Sequence, residues 1–305
     1  MKKDRLWEFV YAPKTFDELI LNENLKKSLK KALDERPNML LYGPPGIGKG
    51  AYVNILINHN DIKDSVLKIN ASMELNIDMM RQNVKSFAQS MGFSGKLKLI
   101  YLNEIDSGNI LAAQKSLRQL IEDTQGNCQF ILVCNYEQNI IPELKSRMQL
   151  FHFCNPPAAE IFKRCKYILD QEKVEYNNKT IVELIKRTHP DIRNTIISLR
   201  QNVIDGKLQN KIKLSASDEL FEDILNSIKS GDPEKVRKIL KSNTIFYPQL
   251  YEFLYSSIMD NDEVFKNDAE AILLISEHLY RDNIVNIKEI NFMHMIFKFL
   301  KNGII

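Results

Sequence analysis

The chain has 305 residues, with 42 Lys plus Arg against 39 Asp plus Glu for a net charge of +3, and it is 44% hydrophobic and 27% charged. That balance excludes a basic tail, a wholly acidic chain and disorder as the main theme, and the length fits two or three compact units better than one core. No apolar run approaches the ~20 residues needed to cross a bilayer, and Asp4 and Glu8 stand where a signal peptide needs an apolar stretch. A cytoplasmic protein without membrane contact is expected.

In chain order, apolar residues three and four apart predict a helix at 25–33, then a short apolar run predicts a strand at 39–42. The alternation continues with helix 51–58, strand 66–70, helix 77–91, strand 98–102, helix 110–122 and strands 130–134 and 150–153. Strand and helix in alternation imply a parallel sheet covered on both faces. Asn155-Pro156-Pro157 forbids continuation of helix or central strand and marks a domain border. Beyond it the pattern predicts helices only, at 158–171, 179–188 and 192–204. A break of low hydrophobicity follows near 205–213, and then come several amphipathic helices ending in INFMHMIFKFL. Three units are expected, at 1–155, 156–213 and 214–305. Cys128, Cys134, Cys154 and Cys165 form no C-x-x-C pair and lack histidines at zinc-finger spacing. Cys128, Cys134 and Cys154 lie in or beside apolar segments, which predicts buried free thiols in a reducing compartment rather than a structural zinc.

Gly43-Pro44-Pro45-Gly46-Ile47-Gly48-Lys49 follows a predicted strand and opens a predicted helix. Glycines let backbone N–H groups converge on a phosphate, the helix N-terminus adds partial positive charge, and Lys49 reaches the outer phosphates of ATP. An ordinary Gly-Pro turn is the bland alternative. The next position, where such loops carry Ser or Thr to hold Mg²⁺, is Gly50. The strand at 98–102 runs into Asn103-Glu104, where nucleotide sites ordinarily have Asp-Glu. Glu104 is the candidate to polarise the attacking water. Asn103 is a neutral group for the metal's hydration shell. Asn135, at the end of strand 130–134, is either a reader of the γ-phosphate and its water or a turn former. Arg147 is either a finger that enters a neighbour's site or a surface ion pair. Arg193, at a helix start, is either a γ-phosphate sensor or a solvated charge.

These pieces in this order resemble the AAA+ ATPases of the clamp-loader branch. LWEFVYAPKTFDELI is similar to the leader W-x-x-K-Y-R-P-K-T-F-D-E-L-I, NIDMMRQNVKSFAQ to I-D-x-x-R-x-x-I-x-x-F-A, AAQKSLRQLIED to A-Q-x-A-L-R-R-x-M-E, and KSRMQ to the S-R-C box. HPDIRNTI and DILNSIKSGDPEKVRKIL look most like the large, ATPase subunit of tailed-phage clamp loaders, with replication factor C small subunits next. The resemblance implies a RecA-like AAA+ domain with a parallel sheet, a small helical lid and an all-α collar. It implies a pentameric ring with other clamp-loader subunits that uses ATP and Mg²⁺ to open a sliding clamp and load it on primer-template DNA. In that ring Arg147 meets the next subunit's nucleotide, and Arg81, Lys85 and the helix start at Gly108 contact DNA phosphates without reading sequence. Gly50, Asn103, Met148 and Ala12 depart from the family pattern, and so does Asn76. The first two imply slow hydrolysis, and with it a second reading as a nucleotide-binding but poorly hydrolysing subunit that donates Arg147. If the source is a virus, the location implied is the host cytoplasm.

Overall fold

Strands β1 (Met39–Tyr42), β2 (Val66–Asn70), β3 (Lys98–Asn103), β4 (Cys128–Cys134) and β5 (Gln149–His152) form one five-stranded sheet in the order β2-β3-β4-β1-β5. Every pairing in it is parallel. The computed structural model describes residues 6–59, 65–71, 77–90, 98–106, 111–124, 126–210, 216–259 and 265–305. Residues 1–212 group as one compact unit and 213–305 as another.

Parallel strands need crossovers, and helices α1 (Trp7–Val10), α2 (Glu23–Glu35), α3 (Lys49–His59), α4 (Ile77–Gln89), α5 (Leu111–Asp123) and α6 (Pro142–Lys145) precede or connect them. Because successive strand residues point to opposite faces, each strand feeds two cores. Met39, Leu41, Leu99, Ile131 and Val133 join Leu29, Val53 and Leu56 of α2 and α3 on one face. Leu40, Ile100, Leu102, Phe130 and Leu132 join Val84, Leu117 and Ile121 of α4 and α5 on the other. Central β4 is buried throughout, while β5 is exposed at every residue but Phe151.

The sheet edge corrects one expectation. Phe151 and Phe153 point inward from β5, so His152 and Cys154 point outward, and Cys154 is an exposed thiol while Cys128, Cys134 and Cys165 are buried. Met148, standing where the clamp-loader pattern has Cys, is buried in the α4–α5 face.

Helices α7 (Ala158–Gln171), α8 (Asn178–Thr188) and α9 (Ile192–Gln201) bury Ile161, Ile168, Leu184 and Leu199 together with Trp7 of α1. Asp191 starts α9 as its N-cap, its carboxylate accepting from the Asn194 amide at 2.8 Å. The expectation of helices only beyond residue 157 is also corrected. The helix expected over 192–204 ends at Gln201, and β6 (Val203–Ile204) pairs antiparallel with β7 (Lys207–Leu208). Asp205 and Gly206, at φ 51° and 76°, make the left-handed two-residue turn that an Asp-Gly pair favours.

The second unit is a set of helices, α10 (Ala216–Lys229), α11 (Pro233–Ser242), α12 (Tyr247–Met259), α13 (Asp268–Asp282) and α14 (Lys288–Lys301). Leu250 and Leu254 of α12, Leu274 and Ile275 of α13, and Phe292, Met295 and Phe299 of α14 fill its centre. One polar group spans that core. Asn291 Nδ2 donates to Tyr251 Oη at 3.1 Å and to the His278 carbonyl at 2.8 Å, and Asn291 Oδ1 pairs with His278 Nδ1 at 2.7 Å. Among the described residues, no helix is long and apolar enough to cross a membrane.

Candidate nucleotide-binding site

The loop between β1 and α3 has a shape that only glycine allows at its corners. Gly43, Gly46 and Gly48 have φ of 138°, 72° and 103°, which L side chains rarely adopt. A Cβ on Gly43 would overlap the Phe153 carbonyl, and one on Gly46 would overlap the Asp191 carboxylate. The loop is thereby pressed between the end of β5 and the start of α9. Pro44 and Pro45 fill the first half of the turn, and Ile47 anchors it in the core at 2% exposure. Lys49 begins α3, so the positive end of that helix points into the loop.

Lys49 is 6% exposed. Its Nζ donates to the Gly43 carbonyl at 2.6 Å, the Pro44 carbonyl at 2.7 Å and Asn135 Oδ1 at 2.9 Å. Burial pulls its pKa down to about 8, with Arg193 adding to the fall and the charges of Asp106 and Asp191 opposing it. Asn135 follows β4, and its side chain reaches the loop lysine. Its amide and that of Tyr136 both donate to Asp106 Oδ2 at 2.8 Å, which clips the turn after β4 to the turn after β3.

Asn103 and Glu104 lie side by side where β3 ends, both half-buried, with Asn103 Nδ2 donating to Glu104 Oε1 at 3.4 Å. Glu104 takes φ 58°, an uncommon conformation for a residue other than glycine. Arg193 is exposed at the start of α9, its amide donates to the Gly46 carbonyl at 3.3 Å, and its charge is felt at Lys49 and Tyr101. Gly50 has open space beside it except for the Tyr101 hydroxyl.

Arg147 is engaged elsewhere in the chain. It follows α6 and pairs through Nε and Nη2 with Glu122 of α5, while its Nη1 donates to the Glu143 carbonyl at 2.6 Å. The guanidinium holds the Glu122 carboxyl below its ordinary range. Lys85 is exposed on α4. The Arg81 side chain, Gly108 and Asn76 lie outside the described residues.

Three contributors escaped the sequence reading. Asp106 and Asp191 gave only ordinary turn and N-cap signals. Gln114 is the third, an amide on an otherwise apolar helix face that is 2% exposed. Its Nε2 donates to the Ile105 and Asn139 carbonyls at 3.3 and 2.9 Å, and its Oε1 accepts from Ile141 N at 2.8 Å. From α5 it therefore ties the turn after β3 to the segment that leads into α6.

The donor chemistry fits a magnesium nucleotide. The left-handed loop and buried ammonium suit phosphate. Asn103 offers an amide and Glu104 a carboxylate, groups suited to the water shell that a nucleotide-bound Mg²⁺ keeps.

Residues 39–155 match the family model for the ATPase family associated with various cellular activities (AAA). The chain is 32% identical to replication factor C subunit 4 of Caenorhabditis elegans, covering 84% of each chain. It is 28% identical to the replication factor C small subunit of Sulfurisphaera tokodaii, over 92% of this chain and 90% of that one. Among solved structures, the Thermotoga maritima RuvB Holliday junction branch migration motor is similar with a TM-score of 0.54 and 22% identity, covering 72% of this chain and 79% of that one. That last likeness is one of fold.

Proposed function

Because the chain belongs to the replication factor C small-subunit family, the AAA+ ATPases of sliding-clamp loaders, we propose that it binds ATP with Mg²⁺ at the loop 43–50 and couples its hydrolysis to loading a clamp on primer-template DNA. It is an ATPase subunit of a clamp-loader complex, acting with other subunits and a clamp; the alternative of a poorly hydrolysing ring member is not favoured by these relatives. The observation that carries the site is Lys49, buried and bonded at once to the loop carbonyls and to Asn135. Those three acceptors hold the ammonium where the outer phosphates of a bound nucleotide arrive.

In this reading Lys49 and the loop amides bind phosphate, Arg193 reads the γ-phosphate from α9, and Asn103 orients the hydration shell of Mg²⁺. The metal offsets phosphate charge when bound. Glu104 holds the attacking water, and Asn135 fixes that water against the γ-phosphate. Arg147 works on the next subunit's nucleotide in a pentameric ring, exchanging Glu122 for a phosphate. Arg81, Lys85 and the backbone at Gly108 grip DNA phosphates regardless of sequence. The family-like segment DILNSIKSGDPEKVRKIL supports the phage type of large subunit within the group, and the setting is the cytoplasm.

The test measures ATP turnover by the purified chain alone, with its clamp, and with clamp plus primer-template DNA. Turnover should rise when clamp and DNA are both present, and DNA affinity should fall with salt while varying little between sequences. Turnover indifferent to clamp and DNA would refute the loading function. Failure to bind nucleotide at all would refute the site.

A further inference from the structure

Residue 50 is glycine where a phosphate-binding loop carries the hydroxyl that faces the metal. Among the described residues one side-chain atom stands close to where a Cβ on residue 50 would be, and it is also a hydroxyl: Tyr101 Oη, 3.6 Å away. A serine hydroxyl lies one bond beyond its Cβ, so Tyr101 Oη stands within hydrogen-bonding range of the position a serine hydroxyl there would take.

Several observations give that placement a direction. Tyr101 and Asn103 are two residues apart on β3 and so share one face of the sheet. The Tyr101 ring packs on the core under α3 with Leu99 and Val53, which leaves its hydroxyl at the loop end of the strand. Tyr101 is half-buried, and among the described residues its Oη has no hydrogen-bond partner, so the hydroxyl is available to a bound group. Oη lies within electrostatic reach of Glu104 and Arg193, two further residues of the site.

We propose that Tyr101 supplies from β3 the hydroxyl that position 50 lacks, its Oη hydrogen-bonding the hydration shell of the Mg²⁺–nucleotide beside Asn103. Gly50 and Tyr101 are then a matched pair. The phenol stands at contact distance from where a side chain at 50 would begin, and its hydroxyl replaces the one that glycine lacks. A neutral phenol and a neutral amide bind through water rather than as direct charged ligands, in keeping with a metal held mainly by the nucleotide.

This inference rests on the loop 43–50 being the nucleotide site, and the experiment separates the two. A fluorescent ADP analogue is titrated into the full-length chain with excess Mg²⁺ and again with EDTA. Tyr101→Phe should weaken Mg²⁺-dependent binding about tenfold, the size of one hydrogen bond in a charged setting, and leave metal-free binding unchanged. Gly50→Ser should gain nothing while Tyr101 is present, and Gly50→Ser with Tyr101→Phe should recover most of the loss, a coupling that mere packing does not produce. Equal affinity for wild type and Tyr101→Phe overturns the proposal, as does an equal loss with and without Mg²⁺, or a double variant no better than Tyr101→Phe. If Tyr101→Phe fails to fold, Gly50→Ser alone still decides, because tighter Mg²⁺-dependent binding with Tyr101 intact overturns the matched pair. Lys49→Ala is the control for the underlying site: undiminished ADP binding by that variant sinks the site itself, whereas its loss of binding alongside an indifferent Tyr101→Phe sinks only the role of Tyr101.

Discussion

Raising the pH titrates Lys49, and nucleotide affinity should follow. The ammonium is 6% exposed, and burial brings its pKa to about 8 from an ordinary value of about 10.4. Phosphate beside Nζ favours the charged form and returns the group toward that ordinary value. Between pH ~8 and ~10.4 the bound form therefore keeps a proton that the free form has lost, so affinity falls as pH rises, by up to about tenfold per pH unit and about 3 kcal/mol across the window. The stability of the free chain moves the other way. The unfolded chain holds the proton up to pH ~10.4 while the folded chain releases it near 8, so the unfolded state binds more protons and stability rises with pH over the same range. Isothermal titration of ADP at about pH 9, in two buffers of different ionisation heat, reads the linkage directly, and close to one proton should be taken up per ADP bound. Lys49→Arg stays charged throughout and should bind without that uptake. Binding by the wild type with no proton uptake, or the same uptake by Lys49→Arg, refutes the reasoning.

Arg147→Ala should leave the melting temperature and nucleotide binding by its own loop unchanged, because its ion pair with Glu122 is solvent-accessible. Stimulated turnover in assembled rings should drop on the order of a thousandfold, and mixing with Lys49→Ala subunits should restore part of it; full turnover by Arg147→Ala rings makes the residue a surface ion pair only. Gly46→Ala should lower stability by about 1 kcal/mol through its left-handed φ alone, and further through overlap with the Asp191 carboxylate. Asp191→Ser keeps a capping oxygen and should relieve the second part, so strictly additive melting shifts in the double variant contradict the contact. His278 is fully buried, and burial lowers its pKa, partly offset by Asn291 and reinforced by His294. Below pH ~6.5 the unfolded chain takes up a proton there that the folded chain refuses, so stability falls as pH drops; thermal melts of wild type and His278→Gln at about pH 5.5 and 7.5 check this, and an equal pH effect in both excludes His278 as its source.

The layered sheet was legible before any coordinates because its signals are local. Runs such as Met39–Tyr42 and 130–134 are apolar along their whole length, as strands covered on both faces must be, and the helices between them repeat at 3.6. The phosphate loop was legible for the same reason, since its glycines, lysine, strand and helix are contiguous. The hairpin at 203–208 was missed although its Asp-Gly turn was in plain view, because two-residue strands are too short to show a period. Cys154 was misread because two residues cannot reveal which side of an edge strand faces water. The remaining features join segments far apart in the chain: Asp191 against Gly46, Asn135 on Lys49, Glu122 with Arg147, and Tyr101 beside Gly50. Periodicity sums over neighbours and is blind to such approaches. They follow from packing, which brings the start of α9 onto the loop and aligns β3 beneath α3. A glycine that lost its hydroxyl looks like a defect along the chain, and a hydroxyl beside it becomes visible only once the strand and the helix are packed together.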